Sequence, residues 1–469
     1  QRFVDGTWSA NNLVDNVWGH YYEGIRAANF YLKETAGLTF DEWKYSDDYE
    51  AIMKEFTNYQ YEVRFLRAYF YFELIKRYRN IPFVLDVLAQ NEANGVNPES
   101  YEKIAKFIVD ECSDLAQILP VNYDNFSTKE KGRVTRAAAM ALKSRVTLYM
   151  ASPLFSEDSE DKWKQAAEAA YDIIKQKTDL GLDLVPYPQI FNDVNNQKAE
   201  VILYRPTGES GDFEKANFPI GVEGGKTSTC PTQNLMEAYD MKDGTPFVWN
   251  NQSNPYDNRD PRMKYTIVCN EMKWPVDPVE IWEGGTNGLP LQNATTTGYY
   301  LKKYVNNTIS FEAGSTVTKK QHNWVLFRYG EILLNYAEAM INAFHDPNYK
   351  DAVYNMSARE AVNQIRGRTN ISLPGFPSDI TEKDFVKRLK NERRVELAFE
   401  GHRFWDVRRW KELGQTANIY GVKITKNNEV ISYEKFLLET RAVTDNMYFY
   451  PIPNTERFKN PNLGQNPGW

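Results

Sequence analysis

The sequence predicts a mainly α protein, a scaffold of helical hairpins stacked in tetratricopeptide-like fashion with a loop-rich second lobe set into it. Three observations carry this. Apolar residues recur at helical spacing in paired segments between residues 15 and 175, and again between 327 and 400. No strand-like segments separate the members of these pairs, as they would in an α/β chain. Between Gly181 and Asn323, by contrast, Gly, Pro, Asn and Trp accumulate and long helical periodicity stops. The expected division is therefore 1–180 as an N-terminal helical scaffold, 181–323 as a loop-rich ligand-binding lobe, and 324–469 as a C-terminal scaffold and wrapping tail forming one structural unit with 1–180. Helix spacing is too irregular to define a repeat of about 34 residues.

Taken in order, residues 1–12 read as loop. Asp15 is a candidate cap for a first helix through Val17, Tyr21, Ile25, Ala28 and Leu32 that ends by Gly37. A second helix over 57–79 carries Phe65, Ala68, Tyr69 and Phe72 on one face and halts at Asn80-Ile81-Pro82, because proline cannot continue a helix. Helices follow over 100–119 and 135–150, the latter lined by Ala137, Ala138 and Ala141, whose small side chains let neighbouring backbones approach. Another spans 161–175. Beyond the loop-rich stretch, helices are expected over 327–343, 351–368 and 381–400, the last opened by Thr381 with Asp384 in a capping-box spacing and stopped at Gly401. On that helix Glu392, Glu396 and Glu400 share a face among Arg393 and Arg394, which by pattern alone is a solvated, salt-bridged surface. The aromatic residues that follow, Phe404, Trp405 and Trp410, argue instead for a packed segment whose arginines need partners.

A length of 469 residues has room for about three average domains, or for one large helical body with an insertion. The net charge of −7 leaves no global basic field, which argues against nucleic acid as a partner and leans toward a neutral rather than an acidic ligand. Cys112, Cys230 and Cys269 are widely spaced and form no CxxC, so neither a zinc ribbon nor a disulfide framework is indicated, and Cys112 reads as a core residue. No apolar run approaches a membrane span. Gly224-Gly225-Lys226-Thr227 resembles the end of a phosphate-binding loop, but Ile220 stands where the earlier glycine is required. Glu396 and Glu400 lie on one helical face, whereas catalytic carboxylates of glycoside hydrolysis flank a substrate from opposite sides. The four histidines form no HxxxH or HExxH, and there is no GxSxG elbow. Neither an enzymatic centre nor a cofactor is expected.

Aromatic residues are abundant, with 30 Tyr, 25 Phe and 11 Trp. Sugar rings pack their C–H faces on aromatic rings and offer hydroxyls to Asn, Asp, Gln or Arg, so rings interleaved with short polar residues mark a glycan site. Trp8 with Asn11 and Asn12, Trp249 with Asn250 and Asn251, and Trp274 and Trp282 with Asp277 have this composition, with Tyr256, Tyr299 and Tyr300 as further candidates.

The run ERRVELAFEGHRFWDVRRW from Glu392 closely resembles the signature of the SusD/RagB family, outer-membrane glycan-binding lipoproteins of Bacteroidetes. EVRFLRAYFYFELIKRYRNIPFV from Glu62, GRVTRAAAMALKSRVTLYMASPLF from Gly132, RYGEILLNYAEAMIN from Arg328 and the ending YPIPNTERFKNPNLGQNPGW from Tyr450 resemble the same family in the same order. The resemblance implies a tetratricopeptide-like scaffold that binds an oligosaccharide at the cell surface, without bond cleavage, and hands it to a SusC-like TonB-dependent outer-membrane transporter. It implies an aromatic arc in which Trp8 and Asn11 match the ring and amide before the first scaffold helix, with the preceding Asp and Arg falling either upstream or at Arg2 and Asp5, and lobe rings such as Trp249, Trp274, Trp282 and Tyr299 completing it. It also implies a signal peptide and a lipidated cysteine upstream of Gln1. A glycoside-processing enzyme and a peptide-binding helical scaffold are the alternatives left by the residues themselves.

Overall fold

The computed structural model describes residues 3–126, 128, 130–157, 159–250, 254–311 and 318–469, and it is mainly helical with small two-stranded sheets. Two compact units emerge. One holds Gln1–Gly181, Val407–Gly414 and Ala442–Trp469; the other holds Leu182–Asp406 and Gln415–Arg441.

In the first unit, α1 (Trp18–Glu34), α2 (Tyr49–Tyr78), α3 (Tyr101–Ile118), α4 (Arg136–Ala151) and α5 (Glu160–Lys175) pack largely in sequence, each against the next or next but one, as stacked hairpins do. Ser100, Thr135 and Ser159 cap α3, α4 and α5 by accepting a backbone N–H three residues on. The alanines of α4 are buried between its neighbours, the close approach their size permits. Asp15 caps nothing; its backbone is left-handed and its carboxylate meets the Arg77 guanidinium at 3.1 Å. Helix α2 starts eight residues before its expected point, at Tyr49 instead of 57, and its C-terminal turn is held by the tail. There Tyr450 N–H donates to the Arg77 carbonyl at 2.7 Å and the Asn466 amide donates to the Tyr78 carbonyl at 3.1 Å.

The second unit contains α6 (Tyr329–Phe344), α7 (Ala358–Arg366) and α8 (Glu382–Glu396). Helices expected to count with 1–180 thus cluster with the loop-rich stretch, because their buried charges are paired with residues from 200 to 262. Thr381 caps α8 as expected, but the helix ends at Glu396, and Phe399 and Gly401 turn the chain with positive φ before a further helix, His402–Arg409. Strand β1 (Val201–Pro206) pairs antiparallel with β2 (Asn323–Arg328), closing the long excursion between them. A hairpin of β3 (Asn418–Asn427) and β4 (Val430–Thr440), turned at left-handed Asn428, lies where the sequence reading placed a helical scaffold and tail. Val422 and Ile424 of β3 and Tyr433 of β4 join Tyr239, Met263, Ile267, Tyr299 and Tyr300 in the core of this unit. Gly298, at φ +84°, allows that docking: a Cβ there would lie 2.5 Å from the Val422 carbonyl oxygen.

Candidate functional site

The charged face of α8 is buried, and it organises the loops of the second unit. Glu396 accepts hydrogen bonds from Arg262 (2.8 Å), Arg328 (2.9 Å) and Arg368 (2.8 Å). Glu392 receives Arg262 and Arg366, Glu400 receives Arg328 and Lys303, Glu200 receives Arg328 and Arg368, and Asp260 receives Arg262. Five cations and five carboxylates therefore alternate through a region from which water is excluded. Burial alone would push the Glu396 carboxyl up, but the guanidiniums of Arg368, Arg328 and Arg262 overcome it and hold it well below the usual carboxylate range. The network differs from the one suggested by helix spacing: Arg393 turns to Asp406 and Asn335, and no described contact joins Arg394 to these carboxylates. Glu396 and Glu400 are saturated as ion-pair partners, since every carboxylate oxygen of the pair is engaged by a cation, which leaves none free for the glycoside-hydrolysis role considered for the pair.

Lys303, anchored to Glu400 at 2.8 Å and to the Tyr187 hydroxyl at 3.0 Å, ties this network to the wall of a cleft. The cleft, of about 400 Å³, is bordered by Phe191, Asp193, Tyr265, Lys302, Asn306 and His322. A second cleft of about 590 Å³, bordered by Glu223, Asp277, Asn287 and Phe311, adjoins it, and Trp274, Asn307 and Thr308 line both. The loops here are set by their own polar residues. Asn306 accepts the Thr308 N–H and hydroxyl, and its own N–H donates to Glu214, a buried carboxylate. His322 stacks on Trp324 with its Nε2 3.0 Å from Glu214 Oε1 but out of line for a hydrogen bond, so that Nε2 and Glu214 Oε2 both lack a described hydrogen-bond partner. Rings, short amides and hydroxyls thus converge in a volume suited to a small ligand.

The aromatic residues singled out by composition are scattered, and most are packed. Trp8 is only 5% exposed, enclosed edge-on by Phe3, Tyr450 and Trp469 at centroid distances of 4.7 to 5.0 Å. It offers no open face, which corrects its expected use as a stacking platform. Asn11 is exposed and accepts a hydrogen bond from the Asn454 amide. Asp5 caps Thr7 locally, and Arg2 and Asn251 lie outside the described residues. Tyr299 is fully buried, its hydroxyl donating to Gln233 at 2.5 Å, and Tyr256 and Tyr300 are core residues as well. Trp249 and Trp282 are half-buried, the latter with the Lys426 ammonium 4.5 Å over its ring. Trp274 is 6% exposed yet borders both clefts, as a wall more than as an open platform, with the Lys302 ammonium 4.9 Å from its ring centroid. Sequence reasoning passed over Lys302, Asn306, Asn307 and Thr308, although the Asn-Asn-Thr run was visible as a polar turn. It also passed over Trp43 and Tyr45, 52% and 87% exposed in the α1–α2 connection.

Comparison with known proteins places this arrangement. Residues 190–469 match the family model described as SusD family, and residues 3–148 match one described as starch-binding associating with outer membrane. A SusD-like protein from Formosa agariphila is 23% identical over 98% of this chain and 81% of its own length. Two crystal structures from Bacteroides fragilis, a SusD-like protein and a SusD-like carbohydrate-binding protein, are each 26% identical with a TM-score of 0.80. They cover 100% and 99% of this chain, and 89% and 88% of the respective solved chains. With more than half of its length matched by the family model and its helical fold shared end to end, the chain belongs to the SusD family.

Proposed function

We propose that this protein binds an oligosaccharide in the adjoining clefts around Trp274 and delivers it, at the outer surface of a bacterium, to a TonB-dependent outer-membrane transporter. It acts by capture alone, held to the membrane by a lipid anchor. The observation that carries the reading is the convergence of Trp274, Asp277, Asn307 and Thr308 on two adjoining clefts, the ring-plus-short-polar chemistry that sugar hydroxyls and C–H faces require. Trp249 and Trp282 serve as outlying members of the site. The carbohydrate-binding relative from Bacteroides fragilis and the starch-binding description of the N-terminal match support it.

The test is titration of a polysaccharide and oligosaccharide panel against wild type, Trp274→Ala and Trp43→Ala, with product analysis of each mixture. Retention without shortening supports capture. Truncating Trp274 is expected to weaken binding at least tenfold, whereas Trp43→Ala leaves it unchanged; the reverse pattern would move the site to the exposed rings of the α1–α2 connection. Shortened products would overturn the reading in favour of an enzyme.

A further inference from the structure

The charges lining the smaller cleft do not balance. Its basic side chains are Lys302, Lys303, Lys320 and His322, and its one carboxylate is Asp193. Three of these four side chains face a carboxylate: Lys303 meets Glu400 at 2.8 Å, Lys320 meets Asp193 at 3.6 Å, and His322 lies 3.0 Å from Glu214. Lys302 has none among the described residues. Its ammonium rests 3.7 Å from the Met272 sulfur and over the Trp274 ring, partners that cannot neutralise a charge. Burial lowers the affinity of Lys302 for its proton by more than neighbouring Cys269 raises it, and the nearby Lys264 ammonium, itself exposed and without a described carboxylate partner, lowers it further. A half-buried cation of this kind gains most from an anion brought in from outside.

The adjoining cleft has the opposite character, with Glu223 and Asp277 on its walls. Lys302 therefore lines one cleft and Glu223 and Asp277 line its neighbour, with Trp274, Asn307 and Thr308 shared by both. We infer that the captured glycan is acidic, seating a carboxylate or sulfate substituent at Lys302 while uncharged parts of the chain lie along Asn307 and Thr308. This rests on the glycan reading above, and it departs from what net charge suggests. At physiological ionic strength fields fall off within about 8 Å, so the cleft's local cation outweighs seven excess negative charges spread over the surface.

The probes are uronate oligosaccharides, sulfated oligosaccharides and neutral hexasaccharides on one array, followed by calorimetry of the best acidic binder and of its carboxyl-reduced or desulfated form. The two acidic arms distinguish the carboxylate from the sulfate source. The acidic form is expected to bind at least tenfold tighter than its neutralised counterpart, and to lose affinity as salt rises from 50 to 500 mM. Lys302→Gln should erase that difference and Lys302→Arg should retain most of it, each checked by a melting curve. If Lys302→Gln does not fold, the salt dependence and the matched neutral ligand decide on wild type alone. Equal binding of both forms, or capture of neutral glycans only, overturns the charge inference while leaving glycan capture intact. Failure of every glycan to bind overturns both.

Discussion

Replacing Glu396 by Gln tests the buried network at its most connected member. Glutamine keeps the shape but removes the charge shared by Arg262, Arg328 and Arg368, leaving five cations against four carboxylates in the cluster built on α8. Glu396 is 0% exposed, so water cannot restore the balance. Breaking a buried ion pair from one side costs about 3–5 kcal/mol. At about 2–4 °C per kcal/mol for a domain of roughly 150–250 residues, the unit should melt roughly 10 °C lower. The pH dependence carries a definite sign. Because the folded carboxyl is held below its unfolded value of about 4.3, its contribution is complete above that pH and is lost as pH falls through the folded value. The gap between variant and wild type should therefore be full at pH 7 and narrow below about pH 4. Thermal unfolding followed by circular dichroism from pH 3 to 8 measures it. A variant melting within about 2 °C of wild type at pH 7 would refute the network's energetic role.

Trp8→Ala should cost about 3–5 kcal/mol of stability, the usual price of truncating a packed ring, and leave glycan affinity unchanged in protein that remains folded; urea titration paired with calorimetry separates the two. Asp240 behaves oppositely to Glu396: burial pushes its carboxyl up to about 6, so the native state disfavours its charge and stability is lost as pH rises toward that value. The melting advantage of Asp240→Asn over wild type should accordingly grow between pH 4 and 7, and a constant difference would count against it. Gly298→Ala should destabilise the second unit by more than about 1 kcal/mol, since the residue combines φ +84° with a Cβ in collision with Val422; an unchanged denaturation midpoint would show that the hairpin can shift.

Sequence alone determined what depends on neighbours within a turn or two. The hydroxyl cap at Thr381, the helix stop before Pro82 and the small-residue face of α4 are local steric and hydrogen-bonding facts, and the structure retains each. The family, read from ordered motifs, followed from the same local information. The hairpin β3–β4 was legible as well, in Ile419, Val422 and Ile424 ahead of Asn427-Asn428, but an expectation of helix covered it. What only tertiary structure decided was burial and partnership. Glu396 and Glu400 look solvated on a helical wheel, yet their cations arrive from Arg262, Lys303, Arg328 and Arg368, at sequence separations that no periodicity records. Trp8 and Tyr299 sit in segments of glycan-site composition and are packed away, while Lys302 lines a cleft without a carboxylate partner of its own among the described residues, a placement its sequence neighbours do not signal. Whether a side chain is covered depends on which distant segments fold over it, and composition within a window carries no information about that.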